Sequence, residues 1–290
     1  MPRVSALKPL LATLLVVPFI TMCGTSPWEH GPIEEIFVGQ QLPDSIMLDT
    51  PLGDMHVVST GLRDNHAPQL IFIHGSPGGW DGWVHYLADE ALQRHATLIA
   101  VDRPGFGSST SVVEPRLAGQ SAALAELLKK RTGSGPVILV GHSLGGPIAL
   151  QLAAEQPDKV DGVLLLAASL DPALEEPRWY NKLADNRLFR WAIPDAMLRS
   201  NEEMMVLSDE LSKQEKLWAE LLKPGAPAIT LMQGETDDLV YPENADYAEE
   251  KLPAPRLRVV RLEDSGHFFI WEQRELVIEE LLLLLKRISN

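Results

Sequence analysis

The segment Gly141-His142-Ser143-Leu144-Gly145 is the part of this chain best suited to covalent chemistry. A serine hydroxyl is a weak nucleophile at neutral pH. It needs a base within hydrogen-bond reach and a carboxylate to orient that base. Ser143 follows the apolar run Val137–Val140 and precedes a helical pattern that begins at Leu144. This context predicts a strand, a sharp turn and a helix, with the hydroxyl pushed out above a sheet. Glycines two residues before and after the serine remove side chains that would collide across so tight a turn. Of the 8 histidines, only His267 follows Ser143, in a loop between a strand ending near Leu262 and the last helix. The order serine, acid, histidine makes it the candidate base. The acid is expected at the end of the strand Ile229–Met232, where Asp237 is the first candidate. Asp238 and Asp171 are its rivals. A second loop, His74-Gly75-Ser76-Pro77-Gly78-Gly79, follows the strand Leu70–Ile73. Its glycines permit close backbone approach to a substrate oxygen, so the N–H groups of Ser76 and Leu144 are the expected oxyanion donors. Pro77 has no N–H to offer. His74 is expected to support the loop by hydrogen bonds, not to act as a base.

These residues must be positioned by a larger frame. Continuous apolar runs occur at 70–73, 98–101, 137–140, 163–167, 229–232 and 257–260. Runs without alternation belong to strands buried on both faces, as in a parallel sheet. Helical patterns at 117–130, 144–154 and 272–286 separate or follow them, and residues 33–60 read as two or three short strands. The fold class is therefore α/β, with a doubly wound, mostly parallel sheet. Residues 171–227 carry no strand signal and are expected to form an inserted set of helices. Trp179, Trp191, Met204, Met205 and Trp218 lie within it.

Net charge is −15 over 290 residues, which disfavours nucleic acid as a partner. With 1 cysteine the chain has no intrachain disulfide and no multi-cysteine metal site. The histidines at 30, 56, 66, 85 and 95 show no metalloprotease spacing to acids, so neither a metal nor a cofactor is expected. Residues 1–26 read as a signal peptide: Arg3 and Lys8, then an apolar run from Leu10 to Ile20, then small and polar residues. That run is too short to span a bilayer, which needs about 20 residues. Residues 27–290 are the expected mature domain. Ile20-Thr21-Met22-Cys23 resembles the lipobox of bacterial lipoproteins, with Met22 where that family has a small residue. The resemblance implies a lipid anchor to the membrane through Cys23. The alternative is cleavage near Gly24–Ser26 with release. Both place the protein in the cell envelope or outside the cell, not in the cytoplasm.

Five segments together are similar to the signature segments of the α/β-hydrolase superfamily: 74–79, Asp102-Arg-Pro-Gly-Phe-Gly-Ser-Ser109, 141–146, Gly234-Glu-Thr-Asp-Asp-Leu-Val240 and Ser265-Gly-His-Phe268. They occur in the family's order across about residues 45 to 288. The resemblance implies Ser143 as nucleophile, Asp237 as acid and His267 as base, and it places a lid at about 171–227. The 102–109 segment is a turn that supports the active-site loops, with no chemical role. The implied activity is a serine hydrolase of carboxylic esters, acting on a small or medium, largely apolar molecule through an acyl-enzyme. An amidase or aminopeptidase, a C–C hydrolase, an acyltransferase and a cofactor-free perhydrolase are alternatives on the same triad. A non-catalytic envelope binding protein is the alternative of a different class.

Overall fold

The computed structural model describes residues 30–188, 190–252 and 256–289. Residues 1–26, expected to be a signal peptide, and Cys23 among them, lie outside the described residues. Eight strands form one sheet in the order β1-β2-β4-β3-β5-β6-β7-β8. They are β1 (Asp44–Thr50), β2 (Gly53–Gly61), β3 (Gln69–Ile73), β4 (Thr97–Val101), β5 (Val137–His142), β6 (Gly162–Leu166), β7 (Ala228–Gly234) and β8 (Leu257–Leu262). β2 runs antiparallel to both β1 and β4, and every other pair is parallel. The helices of two turns or more are α1 (Leu117–Lys130), α2 (Gly145–Glu155), α3 (Trp179–Asp185), α4 (Asp195–Gln214), α5 (Glu243–Lys251) and α6 (Arg274–Ser289).

Successive strand residues feed opposite faces of the sheet. Ile71, Ile73, Leu139 and Leu165 pack against α1 and α2, joined by Leu207 and Leu211 of α4. Leu70, Phe72, Val140 and Leu164 pack on the other face, against Trp83, Tyr86, Phe269 and the inner side of α6. With both faces covered by helices, no strand position needs to be polar. The run Leu281–Leu285 in α6 is a core-facing helix. Leu281 and Leu284 are buried, while Leu283 is 53% exposed. No helix among the described residues is long and apolar enough to cross a membrane.

The structure departs from expectation near the N-terminal side of the sheet. Residues 33–36 form a helical turn rather than a strand, and of the two or three strands expected over 33–60 two form, β1 and β2. Three further single turns, Trp80–Trp83, Val84–Leu87 and Glu90–Gln93, fill the connection from β3 to β4. Elements this short are beneath the window over which helical periodicity is readable. The third is held by Asp89, whose carboxylate accepts from the Leu92 N–H at 2.9 Å.

Between β6 and β7 the described chain is helical, as α3, α4 and the turn Trp218–Leu221. The buried side of α4 is Ser200, Asn201, Glu203, Leu207, Glu210, Leu211 and Gln214. The spacing is helical, but most of these side chains are polar.

Leu281→Ala is expected to cost about 2–5 kcal/mol of unfolding free energy by opening a cavity under the sheet. Leu283→Ala, on the exposed side of the same turn, should stay within about 0.5 kcal/mol of wild type. Urea denaturation of the two variants measures the difference.

Candidate active site

The sheet order reverses at β3. The chain leaves β3 for β4 on one side and later returns to β5 on the other. In open α/β sheets the crevice at such a switch point, outside the carboxyl ends of the strands, is where ligands bind. The two loops singled out from sequence meet there: residues 74–79 leave β3, and Ser143 follows β5.

Ser143 has φ 53°, the left-handed region that side chains other than glycine rarely adopt. The turn is clamped on both sides. The Ser143 N–H donates to the Leu166 carbonyl at 2.9 Å, and the Gly146 N–H donates to the Ser143 carbonyl at 2.9 Å. Glycine is obligatory at two flanking positions. A Cβ on Gly141 would lie 2.4 Å from the Gly145 carbonyl oxygen, and one on Gly145 would lie 2.3 Å from the Ile73 carbonyl oxygen. Helix α2 can therefore start hard against the ends of β3 and β5, with Leu144 as its N-cap. A Cβ on Gly75 would come 3.0 Å from the Ser143 Cβ, so the loop after β3 lies directly beside the serine. No acceptor among the described residues takes the backbone N–H of Ser76 or of Leu144.

Asp237 and His267 come together as a buried pair, 3% and 8% exposed. The Asp237 Oδ1 accepts the N–H groups of Leu239 and Val240, each at 2.9 Å. Its Oδ2 accepts from His267 Nδ1 at 2.8 Å. With every neighbour of this carboxylate donating, the imidazole carries its proton on Nδ1 and keeps Nε2 free to accept. The rival acids sit elsewhere. Asp238 is exposed. Asp171 accepts the Ala173 N–H at 2.8 Å and closes its own turn.

His142 connects the pair to the serine. Its ring lies 4.7 Å from that of His267, and its Nε2–H donates to the His267 carbonyl at 3.4 Å. Burial, and then the neighbouring His267, hold its pKa well below the usual histidine value, so it is a neutral spacer. His74 is likewise held low, first by burial and then by Arg103. Its Nδ1–H donates to the Gly75 carbonyl at 2.7 Å, and its Nε2 accepts the Arg103 N–H at 2.9 Å. That is the expected loop-supporting role.

Sequence reasoning missed four buried polar residues around this site. Arg103 and Glu203 form an ion pair at 2.5 Å with side chains 0% and 1% exposed, and Gln120 bridges them. The turn 102–109 does support the site loops, through Arg103. A signal for Glu203 existed: it shares a helical face with Leu207, Leu211 and Gln214. Acidic residues are usually solvated, which hid it. Glu175, 6% exposed, is the fourth. Burial pushes its carboxyl up to about 7, against the pull of a Ser169 hydrogen bond and Arg178; Asp237 and Asp171 push it further.

A cavity of about 650 Å³, lined by Arg131, Ser134, Asp158, Lys159 and Asp161 among others, lies at the opposite, amino ends of β5 and β6, away from Ser143.

Glu175 gives a pH dependence with a definite sign. Its folded pKa is above the ordinary 4.5, so the folded chain holds a proton that the unfolded chain releases. This contribution to stability is complete below about pH 4.5 and is lost as pH rises through about 7. Glu175→Gln should therefore gain stability over wild type between pH 5 and pH 8, by on the order of 1–3 kcal/mol. Urea denaturation at both pH values checks this; an equal offset at both would show that Glu175 does not titrate in this range.

The pattern described as the Alpha/beta hydrolase family matches residues 70–280. A lipase of Mycobacterium tuberculosis is 32% identical over 171 residues, 59% of this chain and 58% of that protein. A pimeloyl-[acyl-carrier protein] methyl ester esterase of Nitrosomonas europaea is 31% identical over 121 residues, 41% of this chain and 42% of that protein. The matched segments span 26% to 61% of the length of the first curated relatives. Among solved structures, a haloalkane dehalogenase of Agrobacterium tumefaciens superposes with a TM-score of 0.66 at 18% identity, over 89% of this chain and 100% of that one. At that identity the likeness speaks for the fold alone. The match over most of the sheet, together with the strand order and the turn at Ser143, means that the chain belongs to the alpha/beta hydrolase family.

Proposed function

We propose that the chain is a serine hydrolase that cleaves a carboxylic ester through an acyl-enzyme. The observation that carries this reading is the Asp237–His267 pair, whose hydrogen bonds leave Nε2 of His267 as an acceptor, on a ring 4.7 Å from that of His142, the residue before the strained Ser143. In the proposed reaction the Ser143 hydroxyl attacks the ester carbonyl while His267 Nε2 takes its proton. Asp237 holds the imidazole in the required tautomer and stabilises the imidazolium that forms. The N–H groups of Ser76 and Leu144 receive the charge that builds on the carbonyl oxygen. A donor of this kind is worth about 3–4 kcal/mol of transition-state stabilisation. His267 then passes its proton to the departing alcohol, and water cleaves the acyl-enzyme by the same steps in reverse roles.

The substrate in this reading is a small or medium, largely apolar ester. The lipase and esterase relatives support the ester bond. The acidic chain disfavours anionic molecules. The helical segment between β6 and β7 serves as the lid. The protein works in the cell envelope, attached to the membrane through a lipid on Cys23.

A serine-directed phosphonate should label Ser143, and Ser143→Ala should lose about 10³-fold or more of ester turnover. Unchanged turnover in that variant removes the hypothesis. Asp237→Asn should lower kcat by about 10²–10⁴-fold, because an amide side chain no longer selects the Nδ1–H tautomer. A panel of p-nitrophenyl esters, thioesters and amino-acyl amides measures the preference. Faster turnover of the amides would replace the esterase reading with an amidase one. Mass spectrometry of the mature N-terminus tests the anchor: a lipid-modified Cys23 as first residue is expected, and an unmodified chain starting after it refutes the attachment.

A further inference from the structure

The Arg103–Glu203 pair is unusual in what it contacts. Burying two charges is costly, and apolar side chains of similar volume commonly stabilise a core as well or better. Packing alone therefore gives no reason for an ion pair here. The hydrogen bonds left over from the pair itself point to one place. Arg103 Nε donates to the His74 carbonyl at 2.9 Å, and Nη2 donates to the Gly75 carbonyl at 2.8 Å. Glu203 Oε2 accepts from the Ser76 hydroxyl. Three consecutive residues of the loop after β3 are thus tied to one buried pair. Gln120 completes the network, donating to Glu203 Oε1 at 2.7 Å and accepting from Arg103 Nη1.

The peptide geometry gives this network a direction. The Gly75 carbonyl and the Ser76 N–H belong to one peptide unit. It is trans, so the two groups point to opposite sides. Arg103 Nη2 and His74 Nδ1 both hold the Gly75 oxygen. Holding that oxygen on one side turns the Ser76 N–H to the other. The Gly75 Cα also lies close against Ser143, where an added Cβ would come within 3.0 Å of the serine Cβ. Of all these groups, Glu203 alone comes from the helical segment between β6 and β7.

We propose that Glu203 is a positioning residue for the oxyanion loop: it holds the Ser76 side chain and the Arg103 fork so that the Ser76 N–H faces the developing oxyanion, and the hole is complete only while α4 is seated. This rests on the ester-cleaving reading and on the donor role of Ser76. Glu203 touches no reacting atom. It acts through Arg103 and Ser76, and it makes the position of α4 a condition for catalysis as well as for enclosure of the substrate.

Three variants test this. Ser76→Ala removes only the hydroxyl link to Glu203. Glu203→Gln removes the charge. The double variant R103M/E203L replaces the pair with apolar side chains and guards against an unfolded result, since such swaps are commonly tolerated. Each should lower kcat on p-nitrophenyl butyrate by about 10- to 100-fold, with KM within about 3-fold of wild type. Affinity for an alkyl boronic acid, which forms a tetrahedral adduct on a serine, should fall in parallel, a shift that a merely structural role would not produce. The thermal transition of the double variant should stay close to that of wild type. Wild-type kcat and boronate affinity in Ser76→Ala and in the folded double variant, beside an inactive Ser143→Ala, overturn the role of Glu203 and leave the ester chemistry standing. Turnover by Ser143→Ala overturns both.

Discussion

A single strained residue organises this molecule. Ser143 holds a left-handed backbone conformation that costs on the order of 1–3 kcal/mol for a side chain of its kind. It keeps that conformation because its surroundings over-determine it. The amide is bonded to β6, and α2 begins against the last carbonyl of β3. A glycine of the neighbouring loop leaves no slack beside it. Such a turn requires β3, β5 and β6 to be adjacent and rigid. The doubly covered parallel sheet meets that requirement, because each of these strands is packed on both faces.

Around the turn, buried carboxylates do the orienting. Asp237 accepts two backbone amides and the His267 imidazole. Asp102 accepts the amides of Trp80 and Ser108 and the His56 ring, each at 2.8 Å, and so anchors the turn that presents Arg103. Glu203 accepts from Arg103, Gln120 and Ser76. A buried charge is tolerable when donors surround it. Glu175 shows the contrary case. With fewer donors and two carboxylates nearby, it holds its proton to about pH 7. Where donors are few, the burial penalty dominates and the carboxyl keeps its proton.

The chemistry-bearing residues were legible before the fold because their spacing carries local information. Gly141, Ser143 and Gly145 announce a tight turn, and apolar runs without alternation announce a sheet covered twice. The choice of Asp237 over Asp238 is one of facing. A one-residue shift along the turn moves the carboxylate from the buried side to solvent. Asp171 was excluded in space, by a turn that uses its carboxylate locally.

Sequence by itself determined the class of sheet and the tight turn at Ser143, because each is written in residue types a few positions apart, and it singled out Asp237 and His267 as candidates. Tertiary structure alone decided the rest. The tautomer of His267 depends on Asp237, 30 positions away, and on the amides that the same carboxylate accepts. The Arg103–Glu203 pair joins residues 100 positions apart, and the one local signal, the helical face that Glu203 shares with Leu207 and Leu211, names no partner for it. Burial converts an ordinary arginine and an ordinary helical glutamate into the tie between α4 and the loop beside Ser143. Only the packed chain can exclude the water that would otherwise hold them apart.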